Sequence, residues 1–323
     1  MTDTYIDTHL HVITPAYEAA VEASGGDPSG YPMPTWTEDG CLDLMNKLRV
    51  KQAVLSVTAP GPAVAGNGPE GRKLARKVNE EVGAMVKREP RFKFFASTPD
   101  WTDLQGTLDE IDYIFGHTEA AGVVIMTAYQ DRLLGDDLFK PIWAKLNEHK
   151  AIVFIHPSTT TLKPQFIADN LPNPLIDYPH NTTRTAVDIL LKGRVRDNPD
   201  LDIILSHGGG SMPYVVARVI ALLRDGNFPA AVTLDEFEQG WNKFYMDLAL
   251  ATSWPQLEAM LALGAERRLI FGSDYPYAPP ASSIDFGKKL DDFVAHHPNG
   301  HRITPEVLTR NAMELFKKHN ITL

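Results

Sequence analysis

With 323 residues, 43% hydrophobic and 22% charged, the chain can bury a sizeable core and is too apolar for a disordered protein. Its 31 Lys and Arg against 41 Asp and Glu leave a formal net charge of -10, and no basic cluster is long enough to follow a phosphate backbone, so a nucleic-acid partner is not expected. The single Cys41 excludes an intrachain disulfide framework and fits a reducing compartment; residues 1 to 15 contain no signal-like apolar region and no run reaches membrane length, so the expectation is a cytoplasmic protein without membrane contact.

Taken in chain order, the first element is a strand over residues 5–9 that leads into His9-Leu10-His11 of "DTHLH". Residues i and i+2 of a strand share a face, so both imidazoles project to one side. Further apolar, β-rich runs fall at 52–57, 92–97, 122–126, 151–156, 202–206, 244–248 and 269–273. Between most of them, apolar residues at three and four spacing predict helices over 42–48, 70–87, 104–118, 141–149, 183–191, 214–223 and 254–263. A last helix starts at Thr304 as N-cap with Pro305 in its first turn, and Leu308, Ala312, Leu315 and Phe316 form its apolar stripe.

This alternation predicts parallel strands with crossover helices, and eight units in this length predict a single α/β domain over 1–323, a (β/α)₈ TIM barrel. No glycine-rich phosphate loop follows the first strand, which argues against an open dinucleotide-binding sheet. Two stretches break the repeat: 14–41, rich in Gly and Pro, and the proline-rich 159–181. Each follows a strand end that carries a histidine, so both are expected to be long active-site loops, after strands 1 and 5.

The strand ends carry the chemistry. Strand one ends in His9 and His11, strand five in "FIHP" at His156, strand six in "LSHGGG" at His207 and strand eight in "FGSDYP" at Asp274. In a barrel these groups gather at one mouth. Neutral imidazoles with a carboxylate suit a borderline divalent cation, Zn²⁺ or Mn²⁺, with a position open to water or substrate. The other histidines read as structural, except His180, which sits in the second long loop. Tyr31 and Trp36 of the first loop are candidates to stack on an aromatic substrate.

These residues resemble the amidohydrolase superfamily, and the forms "IDTHLH", "HGGGSMPYVVAR", "FGSDYP" and "NAMELF" resemble its branch of metal-dependent decarboxylases, over the whole span from Ile6 to Phe316. The resemblance implies His9, His11, His156 and Asp274 as ligands of one divalent ion, with His207 and Asp274 catalytic. Binuclear members use a carboxylated Lys on strand four, and "GVVIMTAY" contains none, so a single ion is implied. The segments "GGDPSGYPMPTW" and "VLSVTAPGP" resemble the 6-methylsalicylate decarboxylases, which implies loss of CO₂ from a hydroxylated aromatic acid, 6-methylsalicylate to 3-methylphenol. Arg218, eleven residues after His207, resembles an arginine that relatives contribute to the neighbouring subunit's site, which implies a homodimer. Those relatives also carry arginine in the helix before strand two; residues 36–45 have none, which favours a monocarboxylate.

By the same resemblance Asp274 is the acid that protonates the ring, although the Glu that partners the equivalent of His207 has no counterpart in "HGGGSMP", which leaves His207 open as the acid. The residues themselves also admit a metal-dependent hydrolase of a lactone or amide, and a catalytically inactive metal-binding protein on the same barrel.

Overall fold

A computed structural model describes residues 4–161, 166–226 and 229–323. Strands β1 (Tyr5–His11), β2 (Val50–Ser56), β3 (Phe92–Ser97), β4 (Gly122–Met126), β5 (Ile152–His156), β6 (Asp202–Leu205), β7 (Phe244–Asp247) and β8 (Leu269–Ile270) lie in that order in one sheet. Every neighbouring pair is parallel. The sheet closes on itself where the Thr8 amide and hydroxyl both donate to the Phe271 carbonyl, at 3.0 and 2.9 Å. The fold is the (β/α)₈ barrel expected.

Strands such as "GVVIM" and "IVFIH" are buried along their whole length, because helices cover the outer face and side chains fill the interior. That is why they read as continuous apolar runs rather than alternating ones. The strands run parallel, so all of their C-terminal ends, with the residues that follow them, face one rim.

The last helix, Pro305–Lys318, is capped by Thr304 as expected and buries Leu308, Ala312, Leu315 and Phe316. Its buried Asn311 donates to the carbonyls of Glu266 and Leu269, at 2.7 and 2.8 Å, and so ties the helix to the start of β8. Each fully buried large side chain of this stripe contributes about 1.5–3 kcal/mol.

Several helices differ from the periodicity reading. The stretch 14–41 contains a helix, Pro15–Ala23, with Thr14 as N-cap; the Thr-Pro start is the same signal that marks the last helix. Helices Leu234–Trp241 and Pro280–His296 were also not expected, and the 183–191 helix begins earlier, at Asp177. Residues 162–165 of the second long stretch lie outside the described residues. Among the described residues no helix is long and apolar enough to cross a membrane.

Candidate metal centre

His9 and His11 are both part of β1 and, two residues apart, present their rings to the barrel interior, with centroids 4.9 Å apart. His156 ends β5, and its ring centroid is 4.8 Å from that of His11. Asp274 follows β8 at φ 61, a left-handed conformation that non-glycine residues rarely adopt. Its Oδ1 is 3.1 Å from His11 Nε2 and 3.3 Å from His9 Nε2. One donor atom from each of the four residues falls within 4.8 Å of the other three, and all four residues are buried.

The outward nitrogens of the three rings are already occupied. His9 Nδ1 donates to Asp247 Oδ2 at 3.0 Å, His11 Nδ1 to the Ser56 carbonyl at 3.3 Å and His156 Nδ1 to the Pro157 carbonyl at 2.8 Å. Each bond orients its ring with Nε2 inward, so that Nε2 is the nitrogen left to ligate a metal ion. Three imidazole nitrogens and a carboxylate oxygen directed at one point fit a single divalent cation.

Burial holds His11 below the ordinary histidine range and His156 well below it, so both rings are neutral. Burial pushes His9 the same way, but the carboxylates of Asp247 and Asp274 outweigh it and raise His9 to about 10. Burial pushes Asp274 up, and hydrogen bonds from His11 and His9 overcome it, holding the carboxyl well below the usual range. The centre is therefore desolvated, with an ionised Asp274 beside a His9 whose proton a bound cation would displace.

Asp247, at the end of β7, escaped the sequence reading although "YMDLA" places a carboxylate at a strand end like the others. Besides His9, it accepts from the backbone N–H of His207 at 3.1 Å and of Ala249 at 3.0 Å. Asp7 was also missed: its Oδ1 accepts from the amides of His9 and Ser273, clamping β1 to the segment that carries Asp274. Burial raises the Asp7 carboxyl to about 7.

His207 begins a one-turn helix, His207–Gly209, at φ 55, and Gly208, Gly209 and Gly210 follow at φ 66, 73 and 64. A β-carbon on Gly210 would collide with the Pro179 carbonyl, so this glycine permits the turn to approach the first turn of helix Asp177–Leu191 closely. His207 Nδ1 donates to the Ala249 carbonyl at 3.0 Å, so a backbone carbonyl orients its ring. Its ring is 4.8 Å from that of His9.

His156, His207 and Asp274 open into a cavity of about 630 Å³, walled by Tyr178, Tyr277, Leu250 and Phe286 among others. Both long stretches contribute to the wall, through Asp27 and Tyr31 and through Leu171 and Tyr178. The Tyr31 hydroxyl donates to the Tyr277 carbonyl at 2.8 Å, which holds the first stretch against the segment after β8. Trp36 does not line this cavity and packs in a neighbouring recess with Tyr31, Met33 and Pro34. Arg218 is exposed on helix Met212–Arg224 and does not line the cavity. His180 is exposed and pairs with the Ser211 hydroxyl at 3.0 Å.

The family model described as amidohydrolase matches residues 6–318. The chain belongs to the amidohydrolase family. This amidohydrolase is 38% identical to the decarboxylase macB of Penicillium terrestre, over 98% of the chain and 96% of that protein. It is 37% identical to the 6-methylsalicylic acid decarboxylase acuB of Aspergillus aculeatus, over 97% of the chain and 96% of that protein. Among solved structures it superposes on a dihydroxybenzoic acid decarboxylase from a Polaromonas species, bound to manganese and 2-nitroresorcinol, with a TM-score of 0.79 at 21% identity; 98% of this amidohydrolase and 97% of that chain are covered.

Proposed function

We propose that the protein is a metal-dependent carboxy-lyase that releases CO₂ from a hydroxylated aromatic acid, with 6-methylsalicylate giving 3-methylphenol. One observation carries this reading: three oriented imidazoles and a carboxylate converge at the base of a cavity walled by aromatic and aliphatic side chains, in a chain 37% identical to a 6-methylsalicylic acid decarboxylase. His9, His11, His156 and Asp274 hold one divalent ion, Zn²⁺ or Mn²⁺. The bound ion supplies positive charge that orients and neutralises the carboxylate and adjacent phenolate of the substrate.

The chain's own groups do the rest. Tyr178, Tyr277, Leu250 and Phe286 enclose the ring and keep water out. Direct loss of CO₂ would leave an aryl carbanion whose electron pair the π system cannot delocalise. Protonation of the carboxyl-bearing carbon comes first; the carbon-carbon bond then breaks, CO₂ departs and its bonding pair restores aromaticity. Asp274 is held strongly ionised by its two histidine partners, which supports a ligand role. His207, fixed through Nδ1 by Ala249, has Nε2 left to deliver the proton.

The protein acts as a homodimer in this reading. Helix Met212–Arg224 buries only Met212 and Val216 and exposes Tyr214 and Leu222, at 63% and 40%, an apolar face that a second copy would cover. Arg218 is exposed on the same helix, in keeping with a role in the partner's site. The free, buried thiol of Cys41 accords with a reducing, cytoplasmic setting.

The test is product analysis of metal-assayed protein with 6-methylsalicylate, salicylate, 2,6-dihydroxybenzoate and an aryl lactone, with and without chelator. Chelator-sensitive formation of a phenol and CO₂ from an acid is the expected result. Turnover of the lactone alone would replace this reading with a hydrolase.

A further inference from the structure

We infer that Asp27 sets the charge class of the substrate, so that the cavity accepts ring acids with one carboxylate and turns away those with a second anion. The inference rests on the aromatic-acid reading of the site and extends it to a residue in the first long stretch. Besides histidine and tyrosine, the ionisable residues that line the cavity are Asp274 and Asp27; among the described residues that line it, none is Lys or Arg. A first carboxylate is met by the cation centre, and a second would face Asp27 without a compensating charge.

The position of Asp27 is built into the fold. Its Oδ1 accepts from the Ser29 amide at 2.7 Å, and the fully buried Ser29 accepts through its carbonyl from the Asn173 amide at 3.1 Å. The two long stretches thereby hold each other and the carboxylate between them. Burial, and then the charge of Asp27, push the phenols of Tyr178 and Tyr277 up, so both stay neutral beside it. Those two rings stand 6.2 and 5.6 Å from His156 and His11, centroid to centroid. Asp27 thus lines the same cavity as the two phenol rings that stand against the centre.

The test uses the full chain loaded with Mn²⁺ and calorimetric binding of salicylate and of 4-hydroxyisophthalate, the same ring with one added carboxylate. Wild type should bind the diacid at least about tenfold more weakly. Asp27→Asn keeps the acceptor for the Ser29 amide and removes the charge, and should shrink that preference at least about fivefold, whereas Asp27→Glu should retain most of it. Equal binding of the two acids by wild type, an unchanged ratio in Asp27→Asn, or no binding of either acid would overturn the inference. CO₂ release from 6-methylsalicylate is assayed in parallel. Its absence beside the expected shift in ratio would remove the decarboxylase reading and leave the charge filter standing.

Discussion

Asp247 and His9 are joined at 3.0 Å through Oδ2 and Nδ1, with both side chains fully buried. The same carboxylate holds the backbone of His207, so one residue orients a metal-facing imidazole and the turn that carries the proposed proton donor. Asp247→Asn preserves the shape of the side chain but weakens the acceptor. Metal affinity should fall about 10- to 100-fold, read by metal titration against a competing chelator, with secondary structure intact by circular dichroism. An unchanged affinity would mean that His9 is oriented without Asp247.

Removing His207 separates holding the metal from moving the proton. His207→Ala should keep stoichiometric metal while kcat falls at least about 100-fold. A variant that lost its metal would place His207 among the ligands. By contrast, His156→Ala and Asp274→Ala should lose metal and turnover together, and full turnover without metal would sink the ligand assignment.

Gly210 lies where the turn after β6 meets the Pro179 carbonyl, at φ 64. Gly210→Ala adds a steric clash to an unfavourable backbone conformation and should destabilise the protein by at least about 2 kcal/mol, read by urea denaturation. Because His207 shares this turn, turnover should fall as well. Wild-type stability in the variant would show that the turn and the helix can move apart freely.

At the opposite rim, buried Asp202 accepts from Lys318 Nζ at 2.6 Å and His319 Nε2 at 2.7 Å, tying the C-terminal segment to the start of β6. Burial pushes its carboxyl up, and the hydrogen bonds from His319 and Lys318 prevail and lower it. A carboxyl depressed in the folded state contributes stability that is present above its unfolded pKa and is lost as pH falls through the folded value. Melting temperature should therefore drop below about pH 4 in wild type, and Asp202→Asn should flatten that acid limb while lowering stability at neutral pH by about 1–3 kcal/mol. Identical acid limbs would exclude the pair as an anchor.

The strands and the strand-end histidines were legible because a barrel strand is buried on both faces and its C-terminal end faces the site, which leaves an apolar run closed by a polar residue. Helix 70–87 was legible for a related reason: the observed helix, Pro69–Arg88, has one continuous buried face. Helix Pro15–Ala23 was hidden in a Gly- and Pro-rich stretch and buries only Tyr17 and Val21, too little for a periodic signal. Asp247 was hidden because a carboxylate that serves another side chain looks, in sequence, like any other acidic residue.

Sequence by itself determined the barrel, through local periodicity, and brought polar residues to the strand ends; the resemblance those residues carry is what pointed to a four-residue metal centre and to aromatic-acid chemistry. Tertiary structure alone decided that Asp247 holds His9, that Ala249 rather than a Glu holds His207, that Tyr31 lines the cavity while Trp36 does not, and that Asp27 lines it too. These are contacts between segments up to about 240 residues apart, such as His9 with Asp247. They arise when the sheet closes and the long loops pack over its rim, and no local pattern encodes them.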